Sequence, residues 1–391
     1  MTLRIAFAHN FHDRDWLGGK NYFASLFTAI QAIGRSDIEW SFVTGEKTET
    51  SLPDEFPWLK LERTELLDRL APAWAARQLT LRTTGTDPLL HRYLAIRGVA
   101  LLSHSGPLIK VPRVKCLPWL YDFQFMHLPE YWDPKHISWA TKRYNAACRL
   151  GDGILVSSVD AQKDLEKFAP WCVLPKHVLR FVSNPVDFDR LPTLSEITTK
   201  YALPDNYLYL PNQFWANKNH SLVIEALARL RSAGQSVTVA CTGKTVDGRL
   251  PEYFDGLLRR RDVLNVTEQF KVLGVVPYGD LQGLMAHSNA VINPSRFEGW
   301  STTVEEAKTL QRPLLLSNIG VHREQSPALG RFFDVTDDTT LADLMLDASR
   351  HPPPTVSRQS IQADYTKRLT EFGAAYLAVI GATLSRGQYA R

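Results

Sequence analysis

The sequence is short of most features that would settle a class at once. Its four cysteines, Cys116, Cys148, Cys172 and Cys241, are scattered, with no C-x-x-C pair and no histidine at ligand spacing. That argues against a disulfide scaffold and a structural zinc site, and fits a reducing compartment. No apolar run approaches the roughly 20 residues of a membrane span. The nearest, AAYLAVIGATL close to the C-terminus, reads as a packed helix. The opening MTLRIAFAHN enters a strand directly and lacks a signal-peptide core, so the expected location is cytoplasmic, at most peripheral to a membrane. Net charge is only +4, with no RNP-type signature and no basic tail, which argues against a general nucleic-acid binder. No repeat of 20 to 50 residues is present, so the chain is not a solenoid. The first strand is not followed by G-x-G-x-x-G, as a hydride-transferring dinucleotide enzyme requires.

What is present is 391 residues, 44% hydrophobic and 22% charged, enough for two globular domains with sizeable cores. Charge is uneven locally. Between Arg69 and Lys115 stand eight basic residues (Arg69, Arg77, Arg82, Arg92, Arg97, Lys110, Arg113, Lys115) against one acid, Asp87. The segment is either a solvated face or a surface for anionic lipid headgroups or a phosphate-bearing acceptor.

LRIAFAHN reads as a strand, and the glycine pair in WLGGKNYFASLFTAIQAIG opens a helix with apolar residues at Tyr22, Phe23, Leu26, Phe27 and Ile30. IEWSFVTG, VKCLPWLYD and GDGILVSS read as further strands, the last followed by the helix VDAQKDLEKFA. FVSNPVDFDRLPTLSEITTKYALPDN breaks the pattern and reads as an interdomain connection. A second series starts at YLYLPN and runs through HSLVIEALARLRSAG, VTVACTG, FKVLGVV, DLQGLMAHSN, AVINPS, STTVEEAKTLQ and PLLLSN. The expected fold is α/β: two Rossmann-like domains facing across a cleft. Their expected bounds are 1–190 and 191–365, with a C-terminal helix over 366–391 packing back on the first domain. Ligands of open α/β sheets bind at the carboxyl ends of strands, so the residues immediately after each strand are the ones to inspect.

After AVINPS comes RFEGW and then the helix STTVEEAKTLQ. Thr302 with Glu305, and Thr303 with Glu306, have capping-box spacing. Free amides and the helix dipole make this helix start a potential anion site. Capping explains Glu305 or Glu306 but not Glu298, which precedes Gly299. Taken alone, Glu298 and Glu306 are equally well read as a loop charge and a capping charge or as a pair at a reaction centre.

The stretch VINPSRFEGWSTTVEEAKTLQRPLLLSNIGVHREQ, residues 291 to 325, resembles the signature of retaining GT-B glycosyltransferases of the family-four group, which use nucleotide-sugar donors. Its pattern P-S-x-x-E-G-x-x-x-x-x-x-E-A is met by Pro294, Ser295, Glu298, Gly299, Glu306 and Ala307. LPNQFWANKNHSLVIEAL resembles the segment that grips the donor diphosphate, FVSNPVD the N-G-V-D segment near the domain junction, and LGGKN the N-terminal glycine loop.

The resemblance implies a role for each matching position. Gly18 and Gly19 let the first loop approach the donor phosphates, and Lys218 neutralises the leaving diphosphate. Glu298 contacts the transferred sugar, and the amides of Gly299, Trp300, Ser301 and Thr302 surround sugar and phosphate. Glu306 accepts hydrogen bonds from the ribose, and Asn212, Gln213 and Gly243 complete the donor side. Three positions depart from the family pattern. Gln213 stands where many relatives have arginine, and Ser301 where many have glycine. In WLYDFQFMHLPEYW, Tyr121 stands in place of the histidine of a His-Asp pair. Asp122 and His127 are then the expected catalytic residues of this stretch; His104 is a further candidate at a strand end, and His9 and Asn10, directly after the first strand, are placed for the cleft.

The triplets Asp13-Arg14-Asp15 and Asp187-Phe188-Asp189 match D-x-D, a metal motif of a different glycosyltransferase fold, but neither lies mid-domain. No metal and no cofactor are expected, the nucleotide sugar being a substrate. A glycoside hydrolase also uses two carboxylates but needs no phosphate-binding helix start. The expected function is hexosyl transfer with retention to a glycan or lipid-linked acceptor in surface-polysaccharide biosynthesis. The alternative is a non-catalytic GT-B-like protein that binds nucleotide or glycan.

Overall fold

The computed structural model of the protein describes residues 2–10, 17–106, 114–325 and 327–385. The chain divides into two compact units. Unit 1 comprises Met1–Phe123, Pro134–Asn184 and Lys367–Arg391; unit 2 comprises Gln124–Asp133 and Pro185–Thr366.

In unit 1, β1 (Leu3–Ala8), β2 (Ile38–Thr44), β3 (Lys60–Arg63), β4 (Leu101–Ser103) and β5 (Lys115–Leu117) form a parallel sheet of order β3-β2-β1-β4-β5. A second parallel sheet joins β6 (Trp119–Leu120), β7 (Ile154–Val156) and β8 (Lys176–Val178). VKCLPWLYD is therefore two strands in two sheets, where one was expected. Pro118 has no N–H to donate to a ladder, and it falls between β5 and β6. Helix Leu17–Ile33 buries Tyr22, Phe23, Leu26, Phe27 and Ile30, the face that the apolar spacing marked. Phe27 meets Phe7 of β1 edge-on at 5.2 Å, and a fully buried phenylalanine side chain is worth about 1.5–3 kcal/mol. The apolar C-terminal run lies in helix Arg358–Ser385. A Cβ on Gly373 would fall 2.5 Å from Ile33 Cδ1, so only glycine permits this helix to approach the first so closely. Tyr376 Oη donates to Ser103 Oγ at 2.8 Å.

The basic segment is less uniform than its composition. Arg77 pairs with Asp87 at 2.7 Å and Arg97 with Glu62 at 2.9 Å. Lys115 Nζ donates to the carbonyls of Thr383 and Leu384 at 2.7 and 3.0 Å, capping the negative end of the C-terminal helix. Arg69, Arg82 and Arg92 are exposed, and Lys110 and Arg113 lie outside the described residues. Among the described residues no helix is long and apolar enough to cross a membrane.

In unit 2, β9 (Leu208–Leu210), β10 (Val239–Thr242), β11 (Phe270–Gly274), β12 (Val291–Asn293), β13 (Leu314–Ser317) and β14 (Gly330–Phe333) form one parallel sheet of order β11-β10-β9-β12-β13-β14. Side chains alternate as a pleat requires. Leu208, Leu210, Val239, Cys241, Ile292 and Leu315 enter one core; Tyr207, Tyr209, Ala240, Val291, Leu314 and Leu316 enter another. The connection expected to be irregular contains helix Leu194–Tyr201, started by a full capping box between Thr193 and Glu196. Strand order reverses between β9 and β12, and a ligand crevice opens at such a switch point.

Candidate active site

The loop after β9 carries Asn212, Gln213 and Lys218; the loop after β12 carries Glu298 to Ser301. Several bonds stitch these neighbouring loops together. Asn212 Nδ2 donates to Asn293 Oδ1 at 3.2 Å, Arg296 N to the Asn217 carbonyl at 2.8 Å, and Asn219 Nδ2 to the Pro294 carbonyl at 3.2 Å. Asn219 turns the chain from the short 3-10 turn Ala216–Lys218 into helix His220–Ser232 at φ 56°, a left-handed conformation that asparagine tolerates. The result is an ion pair between Lys218 Nζ and Glu298 Oε1 at 2.5 Å, with side chains only 15% and 11% exposed.

His322 follows β13 in helix Gly320–Gln325 and is fully buried within electrostatic reach of both Lys218 and Glu298. Burial lowers it to about 4, so the ring is neutral at physiological pH. Its Nδ1 lies 3.0 Å from the Ser317 carbonyl, which fixes the proton on Nδ1. Nε2 is then a lone-pair acceptor, buried with no partner among the described residues.

Helix Thr302–Thr309 begins differently from the expected capping boxes. Its N-cap is Ser301, whose Oγ accepts from Val304 N at 3.4 Å, so neither Thr302 nor Thr303 caps it. Ser301 sits in ordinary extended conformation (φ −85°, ψ 113°), which needs no glycine. It also receives Asn293 Nδ2 at 2.8 Å, and Gln325 clamps its backbone by accepting from Ser301 N at 3.3 Å and donating to Ser301 O at 3.0 Å. The Ser301 amide is thus occupied within the protein. Glu305 is equally internal, accepting from Lys308 at 3.0 Å and from Gln325 at 2.9 Å. Glu306 is partly accessible yet surrounded by protein. Burial raises its carboxyl to about 7, opposed in part by a hydrogen bond from Tyr278.

Gly243 has a structural reason to be glycine. Its φ is +146°, and a Cβ would stand 2.5 Å from the Asn212 carbonyl oxygen, so the loop after β10 can press against Asn212 and Gln213. Gln213 Oε1 accepts from Lys244 N at 2.7 Å, tying the same two loops.

The sequence-expected residues are divided between the two units. Asn212, Gln213, Lys218, Gly243, Glu298, Gly299, Trp300, Ser301, Thr302 and Glu306 lie in unit 2. His127 also belongs to unit 2, its ring 4.9 Å from that of Phe297, next to Glu298. Asp122 belongs to unit 1, where Tyr144 Oη donates to its carbonyl at 2.8 Å. Gly18 and Gly19 stand in the first turn of helix Leu17–Ile33. His9, Asn10 and His104 lie at the ends of β1 and β4. Asp13 to Asp15 lie outside the described residues, while Asp187 and Asp189 face Arg190 and Arg358 at 3.5 and 3.3 Å.

Arg249 was not anticipated. It pairs with Asp247 at 2.9 Å, donates to Gln124 Oε1 at 2.6 Å and to Asn217 Oδ1 at 3.0 Å, and lies over the rings of Trp132 and Trp215. It holds the segment that carries His127 onto unit 2.

Residues 197–364 match the family model described as "Glycosyl transferases group 1". No curated protein matches the chain in sequence. Among solved structures, Anabaena Alr3699/HepE in complex with UDP and glucose is 15% identical and superposes with a TM-score of 0.64, covering 98% of this chain and 99% of that one. Sucrose-phosphate synthase from Thermosynechococcus elongatus is 13% identical, TM-score 0.61, with 99% and 98% covered. WaaG, a glycosyltransferase involved in lipopolysaccharide biosynthesis, is 14% identical, TM-score 0.57, with 95% of each chain covered. Residues 197–364 are thus similar in sequence to the group 1 glycosyl transferases, within a chain whose fold is that of the GT-B glycosyltransferases.

Proposed function

We propose that the protein transfers a hexose-type sugar, with retention, from a nucleoside-diphosphate sugar to a glycan or lipid-linked acceptor of a surface polysaccharide. The observation that carries this reading is the Lys218–Glu298 pair at the strand-order reversal of unit 2. An ammonium at the mouth of a parallel sheet suits a diphosphate, and the carboxylate paired with it suits the hydroxyls of the attached sugar. Structures similar in fold were solved with UDP, UDP-glucose, or UDP and glucose.

In the proposed reaction the acceptor hydroxyl oxygen forms a bond to the anomeric carbon as the bond from that carbon to the β-phosphate oxygen breaks. The electron pair stays on the diphosphate, and the hydroxyl proton passes to a phosphate oxygen on the same face. Charge on the diphosphate grows as the bond lengthens, so Lys218 stabilises the transition state more than the bound donor. Catalysis in this scheme needs neither a metal nor a cofactor. Glu306 holds the ribose, and His322 Nε2 offers a further acceptor beside the Lys218–Glu298 pair. Exposed Arg69, Arg82 and Arg92, with exposed Leu70, Leu79 and Ile96, suit peripheral contact with an anionic membrane face in the cytoplasm.

The test is donor turnover. UDP-, GDP-, dTDP- and ADP-sugars are incubated with the protein and a membrane fraction that supplies glycan and lipid-linked acceptors, and the anomeric protons of the product are followed by NMR. Release of nucleoside diphosphate with a product of the donor's anomeric configuration supports the reading. An inverted product refutes retention, and no release from any donor refutes transfer.

A further inference from the structure

Unit 1 contains a cavity of about 260 Å³ lined by His9, His104, Trp119, Tyr121 and Arg143. His9 follows β1, His104 follows β4, and Trp119 and Tyr121 begin and follow β6; Arg143 reaches in from helix Pro134–Leu150. The volume lies just under the range of about 300–1,000 Å³ for small-molecule sites, which is room for one ring and one substituent.

The walls are fixed and largely aromatic. Trp119 and Tyr121 meet at 67° with centroids 5.8 Å apart. Trp119 is held by a bond from Nε1 to Ser157 Oγ at 3.0 Å and stacks on Tyr22 at 4.1 Å. His104 has both ring nitrogens engaged, Nε2 with Tyr22 Oη at 2.6 Å and Nδ1 with Ser103 Oγ at 2.8 Å. It is a wall and not a reactive group.

Charge is the unusual feature. Burial keeps both histidines neutral, His9 at about 3 and His104 well below its ordinary value. Arg143 is then the cation of the cavity, half-buried, with Trp139 as its cation–π neighbour at 5.4 Å. It makes no ion pair with a carboxylate among the described residues. The Asp122 carboxylate acts on the same Tyr121 and Tyr144 as Arg143 does but is not in ion-pair contact with it, so the guanidinium keeps its bonds for a ligand, and its planar fork matches an oxyanion with two bonds.

We propose that this cavity binds an anionic substituent, a carboxylate or a phosphate, on the ring of a sugar acceptor, with Arg143 pairing with the anion and Trp119 and Tyr121 receiving the ring. That the bound sugar is the acceptor rests on the transferase reading; that an acidic sugar binds does not. Two sources of the oxyanion are distinguishable, a uronic acid and a sugar phosphate.

The experiment titrates the full chain by calorimetry with methyl β-glucuronide, glucose 6-phosphate and neutral methyl β-glucoside, and repeats it with Arg143→Gln and Arg143→Lys. At least one anionic probe should bind about 10- to 100-fold more tightly than the glucoside. Arg143→Gln should reduce that probe to the level of the glucoside, and Arg143→Lys should recover part of the difference. UDP binding and thermal unfolding of the same samples report whether the variants are folded. Equal binding of charged and neutral probes, or discrimination that survives Arg143→Gln, overturns the proposal while leaving UDP binding and the transferase reading intact. Discrimination that depends on Arg143 in a protein that turns over no nucleotide sugar keeps the anion site and overturns the transferase reading instead.

Discussion

Replacing Glu298 with glutamine should weaken the empty protein and tighten its grip on nucleoside diphosphate. Lys218 and Glu298 form a charge-assisted bond at 2.5 Å with both side chains largely shielded from water. Such a bond contributes about 1.5–3 kcal/mol. A diphosphate that takes Lys218 must first displace the carboxylate, and that carboxylate then repels the incoming anion. Glutamine removes the competitor while keeping its shape, so UDP affinity should rise about 10- to 100-fold. UDP carries no transferred sugar, so the contact of Glu298 with the sugar does not enter. The empty variant loses the pair, and its melting temperature should fall by several degrees, since about 1 kcal/mol corresponds to roughly 2–4 °C at this size. Calorimetric titration at pH 8 and thermal unfolding without ligand measure the two opposed effects. Unchanged or weaker UDP binding by Glu298→Gln would refute the claim that the carboxylate and the diphosphate compete for Lys218.

Glu306 should make stability and donor binding depend on pH. Its folded carboxyl titrates at about 7, against about 4.3 in an unfolded chain, so between those values the folded state holds a proton that the unfolded state has released. This contribution is complete below the unfolded value and is lost as pH rises towards 7, amounting to about 4 kcal/mol. Urea unfolding should show Glu306→Gln without that slope. Ribose hydroxyls favour the carboxylate, so UDP-glucose, with no group of its own titrating there, should bind more tightly as pH rises from 6 to 8. A wild-type profile as flat as that of the variant would contradict the ribose role. Gly243→Ala should cost about 2–4 kcal/mol and abolish UDP binding where it folds, because its Cβ would stand 2.5 Å from the Asn212 carbonyl oxygen. A melting temperature within 2 °C of wild type would show that the loops yield more easily than argued (about 2–4 °C per kcal/mol at this size).

Much of the fold was legible because strand and helix periodicities are local. The apolar face of helix Leu17–Ile33 and the strands of unit 2 are written in consecutive residues. Pro118 was a visible breaker inside VKCLPWLYD, and T-x-x-E at Thr193 was a visible helix start inside the apparent connection; both signals were outweighed by the longer pattern around them. The candidate site was legible where residue type and spacing are distinctive, as at Lys218 and Glu298, whose side chains the fold brings into contact. It was illegible where local geometry depends on a partner far along the chain. Gln325 fixes Ser301 across 24 positions, and Asn293 joins Asn212 to Ser301 through side chains of no distinctive type. The same holds for Arg249, which reaches Gln124 across 125 positions. Its aromatic and polar neighbours come together only in the folded chain. Ser301 ceases to be a defect of the glycine pattern once its role as N-cap is seen.

The central claim is that Lys218 stabilises the departing diphosphate of a nucleotide sugar. Its most direct measurement compares wild type with Lys218→Ala, using whichever of UDP, GDP, dTDP or ADP binds, and then the turnover of the corresponding sugar. Turnover should fall by at least tenfold more than donor affinity, because charge on the leaving group grows in the transition state. Equal losses in binding and turnover, or no binding of any of the four nucleotides to wild type, would contradict it.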